Sequence, residues 1–234
     1  MHVLYEDNHL LVVVKPAGLA TMGVAPDKPS LLTEARQYIK RKYQKPGNVY
    51  LGVVSRLDAP VTGVVLLART SKAAARLTEQ FKNRSVEKTY WALVEGSLSP
   101  DNGRLVDWIG PDERHRRMHL VTSTTADARE ARLGYRTLRH FNQLSLVEIT
   151  LETGRKHQIR LQLAGAGCPI VGDRKYGSRR TFAAGIALHA RRLVFEHPVK
   201  REMRIELVAQ LPAAWRKSGV PEPLPEGLPP GPRE

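Results

Sequence analysis

The chain has 234 residues, enough to bury a sizeable core in one domain, or in one domain with a smaller lobe. Its 37 Lys and Arg against 23 Asp and Glu leave a formal charge of +14, an excess that points to a polyanionic partner, nucleic acid before others. A single cysteine, Cys168, excludes an intrachain disulfide and every zinc motif built on a Cys pair. The first apolar run, residues 10–14, is too short for a signal-peptide core or a membrane span, so a cytoplasmic protein is expected.

Residues 10–14 are Leu-Leu-Val-Val-Val, and Lys15-Pro16-Ala17-Gly18 stops them, which predicts a buried strand entering a turn. Ser30 is placed to cap a helix running to about Tyr43, with Leu32, Ala35, Ile39 and Tyr43 on one face. Two apolar strands, about 53–54 and 64–67, flank a polar turn. A second helix begins near Ser71 and carries Ala74, Leu77 and Phe81 at helical spacing. Residues 88–95 alternate as a strand with Tyr90, Ala92 and Val94 on one face.

From 101 to 132 the sequence is polar, basic and poorly periodic, and it reads as a loop centred on Arg114, Arg116 and Arg117. His115 and His119 have a metal-ligand spacing, but the arginines around them repel a divalent cation, so no metal is expected and an RNA-contacting loop is preferred. Regular structure resumes with a strand at 144–151 and a short helix at about 156–164. On that helix His157, Arg160 and Ala164 share one face, while Ile159 and Leu163 form the packing face, which would aim Arg160 away from the core. Strands at about 187–195 and 203–208 follow. The tail, 212–234, is rich in proline; it is expected to form neither strand nor helix and to wrap the surface or stay disordered. Many strands with few helices predict an α+β fold, a mostly antiparallel mixed sheet with flanking helices, over residues 1–211.

No Gly-x-Gly-x-x-Gly, P-loop, zinc-deaminase or Gly-x-Ser-x-Gly motif is present, and no cofactor is expected. One turn stands out: Ser55-Arg56-Leu57-Asp58-Ala59-Pro60-Val61-Thr62-Gly63 sets an acid beside an arginine between two apolar strands. By itself such an aspartate closes a turn as readily as it reacts.

Together with other segments, that turn resembles the RluA-type family of RNA pseudouridine synthases. The family's central motif has the form His-Arg-Leu-Asp-x-x-Thr-Ser-Gly. Asp7-Asn-His-Leu-Leu with Lys15-Pro-Ala-Gly18 resembles its opening strand, and Lys88-Thr-Tyr90 its tyrosine motif. Thr153-Gly-Arg-Lys-His-Gln-Ile-Arg160, with Pro169-Ile-Val-Gly-Asp173 and Tyr176-Gly177, resembles its third motif, and Leu188-His-Ala190 with His197-Pro198 its last strand. The matches fall in family order over about residues 4–200. Two departures stand in the central motif, Ser55 for histidine and Val61-Thr62 for Thr-Ser; they leave open an altered target or an inactive paralogue.

The resemblance implies the pseudouridine synthase fold and isomerisation of uridine in ribosomal or transfer RNA; a monomer with no obligate protein partner is the default expectation. Asp58 would be the nucleophile, Arg160 its partner in a bidentate pair, and Tyr90 the aromatic face and hydroxyl at the base. Arg56 would fill the space left by the flipped nucleotide, Leu188 would contact the uridine, and Arg114, Arg116 and Arg117 would hold phosphates. Many relatives carry an N-terminal RNA-binding domain of the S4 type; none is seen ahead of the first strand here, so targeting is expected to come from the catalytic domain and its 101–132 insertion. A non-catalytic RNA-binding protein is the rival reading. It has no use for an acid in a phosphate-binding cleft, which makes Asp58 the residue that decides.

Overall fold

A computed structural model describes residues 1–25, 27–112, 117–200, 202–216, 218 and 220. In chain order the elements are β1 (His2–Glu6), β2 (Leu10–Lys15), α1 (Leu31–Lys42), β3 (Gly52–Val53), β4 (Thr62–Ala68), α2 (Ser71–Lys82) and β5 (Glu87–Glu95). There follow β6 (Asn102–Asp112), β7 (Arg117–Val121), β8 (Arg129–Phe141), β9 (Leu144–Leu151), α3 (Gln158–Gly165), β10 (Leu188–Glu196), β11 (Arg204–Val208) and α4 (Ala213–Arg216). A 3₁₀ turn spans Arg174–Tyr176.

The strands form one sheet in the order β1-β2-β4-β10-β5-β9-β8-β6-β7, with β3 on β4 and β11 on β10. Every pairing is antiparallel except β4 with β10, which run parallel and meet only at Thr62 with His189 and at Gly63 with Ala190. Beyond that short seam β4 turns to β3 and β10 turns to β11, so the sheet splits just after the turn that carries Asp58. The seam depends on Gly63. Its φ is 119°, and a Cβ there would lie 2.3 Å from the Ala190 carbonyl oxygen, so no other residue fits without parting the two strands.

Alternation along β2 and β4 divides the first half of the molecule into two cores. Leu11, Val13, Val65 and Leu67 face Leu31, Ala35 and Ile39 of α1. Leu10, Val12, Val64 and Leu66 face Ala73 and Leu77 of α2 together with Phe195 and Ile205. Both helices start at side-chain caps: Ser30 accepts from the Thr33 N–H at 3.2 Å with Thr33 reciprocating, and Thr70 accepts from the Ala73 N–H at 3.1 Å. A third core fills the other half, where Ala92, Val94, Val147 and Ile149 pack with Ile159, Leu163 and Leu188.

Three expectations need correcting. Residues 102–112, 117–121 and 129–141 are not loop but a ribbon of long strands at the end of the sheet. Ala131, Leu133 and Tyr135 alternate inward while Glu130, Arg132 and Arg136 take the other face, and those charges masked the period. Secondly, the segment after Pro212 does form a helical turn, and its Trp215 is buried against Phe182 and His189. Residues 221–234 lie outside the described residues. Thirdly, α3 has no exposed face over its first two turns, because 158–163 are all buried; it is walled by the sheet on one side and by the site on the other.

Candidate active site

The backbone around Asp58 is held from several directions. Val61 N–H donates to the Asp58 carbonyl at 3.0 Å and closes the turn. Thr21 clamps Leu57, with its hydroxyl donating to the Leu57 carbonyl at 2.9 Å and accepting from the Leu57 N–H at 3.1 Å. The Ala59 carbonyl accepts from Gly18 N–H at 2.8 Å and from the Lys15 ammonium at 3.0 Å, and Ile186 N–H reaches the Pro60 carbonyl at 3.2 Å. Lys15 is fully buried and gives two more hydrogen bonds, to the carbonyls of Pro16 and Leu19. Burial lowers its pKa to about 8, against the pull of the Asp58 charge. The Lys15-Pro-Ala-Gly18 motif is therefore the other half of the Asp58 turn, tied to it by hydrogen bonds.

Asp58, Arg56, Tyr90, Arg160 and Leu188, drawn from four separate stretches of sequence, line one narrow cleft of about 70 Å³ together with Val61, Leu151, Arg155, His157 and Ile159. Asp58 is the one carboxylate in that lining, and its side chain is about a quarter exposed (27%). A larger depression, about 530 Å³, lies against α1 among Arg36, Lys40, Asn48 and Tyr50, but it holds no acid or base suited to chemistry at a neutral nucleobase.

Arg160 is buried in the wall, not projected from the helix, and its pairing differs from expectation. Its Nη1 donates to Asp58 Oδ2 at 2.9 Å, a single bond. The bidentate partner is Asp173, with Nε to Oδ2 at 2.6 Å and Nη2 to Oδ1 at 2.9 Å. Asp173 is itself buried and follows the left-handed Gly172. Burial works against the Arg160 charge, but the bonds and charges of Asp173 and then Asp58 outweigh it and hold its pKa well above the ordinary value. A fork fixed by one buried acid thus offers its third donor to the exposed one. Motif order points to Arg160. Asp173 stands in the same motif, but no local pattern in the sequence joins residues 13 apart in chain across a turn.

Tyr90 sits on β5 opposite Ile149 and Ala190. Burial and, to a lesser degree, the Asp58 charge raise its phenol pKa far above the usual value, so the hydroxyl keeps its proton at neutral pH. Leu188 is buried on β10 next to Ala92, while Arg56 is exposed at the mouth of the cleft. Ser55, where the family has histidine, points its hydroxyl to β4, accepting from Leu66 N–H at 3.1 Å, and it does not line the cleft. Arg117 stands on β7 and pairs with Asp112 at 3.3 Å, away from the cleft lining. Arg114 and Arg116, like His115, lie outside the described residues. Among the described residues no three His, Cys, Asp or Glu are grouped to hold a metal ion, and no helix is long and apolar enough to cross a membrane.

The model of the RNA pseudouridylate synthase family matches residues 9–165, and the chain belongs to that family. It is 38% identical over 216 residues to ribosomal large subunit pseudouridine synthase D of Xanthomonas campestris pv. campestris, covering 86% of this chain and 63% of that protein. An uncharacterised RNA pseudouridine synthase of Bacillus subtilis, YhcT, is 34% identical, with coverage of 91% and 68%. Among solved structures, human RNA pseudouridylate synthase domain containing 4 superposes with a TM-score of 0.77 at 27% identity, covering 93% of this chain and 91% of that one. The chain spans somewhat under two thirds of the length of the Xanthomonas relative.

Proposed function

We propose that this chain converts uridine in structured RNA to pseudouridine, with Asp58 as nucleophile. The observation that carries the reading is the Asp58–Arg160 pair at 2.9 Å in a cleft whose lining otherwise offers arginines, apolar side chains, one phenol, one imidazole and one amide. A protein that only gripped RNA would gain nothing from a carboxylate held there, because it repels phosphate. Asp58 would be oriented by Arg160 while the flipped uracil stacks against Tyr90 and Leu188.

In the reaction the bond from the ribose C1′ to N1 breaks and a bond from C1′ to C5 forms. N1 ends with a proton and C5 loses one, so no electrons or groups are exchanged with a cofactor. Since the Tyr90 phenol stays protonated, it serves the C5 proton as a relay to solvent and not as a resting base. Arg56, exposed at the mouth, would stack in the gap the nucleotide leaves. Cytoplasmic ribosomal RNA is the first substrate to try, acted on by a monomer without an obligate protein partner. The test is tritium release from RNA labelled at uracil C5. Release by the wild type and none by Asp58→Asn is expected. RNA binding without release by either chain would leave a binding protein in place of an enzyme.

A further inference from the structure

His157 has no part in the chemistry just described, yet the backbone is bent to place it. It stands at the N-cap of α3 with φ 58°, a left-handed conformation uncommon outside glycine, and its side chain does not cap the helix. Its Nδ1 lies 2.7 Å from the Tyr176 hydroxyl and its Nε2 lies 3.7 Å from Asp58 Oδ2. The Tyr176 hydroxyl is also 3.4 Å from the Met118 carbonyl on β7. Met118 stands opposite Pro111 in the β6–β7 ladder. Opposed residues in such a ladder exchange two N–H···O bonds or none, and Pro111 has no N–H. In either case β6 gives the Met118 carbonyl nothing, which leaves it open to Tyr176.

Electrostatics chooses the tautomer. A neutral imidazole with its proton on Nδ1 would turn the Nε2 lone pair toward the Asp58 carboxylate, which is repulsive. The Tyr176 hydroxyl has one proton for two acceptors; in the Nε2–H form it goes to Nδ1 at 2.7 Å and not to the Met118 carbonyl at 3.4 Å, and the Nε2 N–H dipole points at Oδ2. At 3.7 Å this is a charge–dipole contact and not a hydrogen bond. Arg160 engages the same oxygen.

We propose that His157 is a positioning residue which, oriented by Tyr176, joins Arg160 in anchoring Asp58 Oδ2, so that Oδ1 is the oxygen presented to the nucleotide. This rests on the reading of Asp58 as nucleophile. The charged and titratable groups facing the ring are Asp58 from the turn, Arg160 on α3, Lys156 beside it, and Lys175 and Tyr176 on the 3₁₀ turn. Burial, reinforced by Arg160 and the two lysines and opposed by Asp58, lowers the His157 pKa and keeps the ring neutral at neutral pH. Protonation would reverse the chain: Nδ1–H would donate to Tyr176, whose hydroxyl would turn to Met118, and a full charge would face the nucleophile.

Two measurements test this. Nitrogen NMR of the full chain labelled at histidine reads the tautomer without substrate. The Nε2–H form is expected in the wild type, with a mixture in Tyr176→Phe. An Nδ1–H form, or one unmoved by Tyr176→Phe, overturns the proposal. In single turnover with RNA, His157→Ala should slow the step about tenfold with RNA affinity unchanged. His157→Gln, whose amide N–H reaches toward the same oxygen, should recover most of that loss. A wild-type rate in His157→Ala, or no recovery in His157→Gln, also overturns it. Because the tautomer is read without RNA, its failure is distinguishable from absent tritium release by the wild type, which sinks the functional reading and the role of Oδ1 with it.

Discussion

Around Asp58 the turn is fastened by Lys15, Gly18, Thr21 and Ile186, from two other stretches of chain, and it feeds directly into the fully buried β4. The β6–β7 ribbon ends the same sheet as an edge, and its inner side rests on a small cluster of Ile109, Ala131 and Leu161 with Met118 and Tyr176. On the proposed function, the difference separates two tasks. A nucleophile must be held to a fraction of an ångström, which takes many short bonds to backbone. A grip on phosphate needs charge and reach, and an edge ribbon supplies both at the expense of packing.

If the contrast is sound, Asp58→Asn gives the largest effect. Turnover should fall at least about a thousandfold, as for loss of a nucleophile. RNA affinity should hold or rise slightly because a negative charge is gone. Tritium release and filter binding at one fixed salt concentration check the two halves, and full activity in this variant would end the case for the pinned turn as the reactive one. Arg160→Lys comes next. One ammonium cannot replace a fork that bonds both oxygens of Asp173 and one of Asp58, so kcat should drop roughly a hundredfold. The buried Asp173, left partly unpaired, should cost about 1–3 kcal/mol of stability by denaturant titration. Unchanged kinetics would remove Arg160 from the site.

Lys15→Met tests the fastening itself. The Lys15 pKa is lowered from 10.5 to about 8 on folding, so between those values the unfolded chain binds a proton that the folded chain lacks. Wild-type stability should therefore gain about 3 kcal/mol as pH rises through that window, and should show no such gain below it. The methionine variant lacks this rise. Denaturation of both chains across the window gives the difference directly; parallel curves would mean that the buried ammonium carries no such penalty.

The two regions also differ in how openly the sequence speaks. Asp58, Tyr90, Arg160 and Leu188 are legible because each sits in a short segment whose order along the chain matches the family, and the strands under them are plainly apolar. What stays hidden is tertiary. Asp58 and Arg160 are 102 residues apart, and no spacing rule reports that Arg160 spends two of its three bonds on Asp173. A helix starting near Lys156 would put His157 on the same face as Arg160, whereas the left-handed backbone at His157 starts it at Gln158 and sends both side chains into the site. The ribbon is hidden for another reason: Glu130, Arg132 and Arg136 on its outward positions dilute the alternation of Ala131, Leu133 and Tyr135 into the semblance of a charged loop.

The smallest effect belongs to the ribbon, and it is the sharper test because it must leave chemistry alone. Arg117 reaches Asp112 on the ribbon and no group in the cleft lining, and Arg114 and Arg116 complete the basic run in sequence. Replacing all three by alanine should raise KM for RNA several-fold with kcat unchanged. If each arginine releases one counterion on binding, the slope of log affinity against log salt should become shallower by about 0.7–0.9 for each arginine removed. A fall in kcat at saturating RNA would instead tie the ribbon to the nucleophile, and the path open to it is the Met118 carbonyl, the Tyr176 hydroxyl and His157. In that case Tyr176→Phe should show the same fall in kcat, and adding the three alanines to it should lower kcat little further.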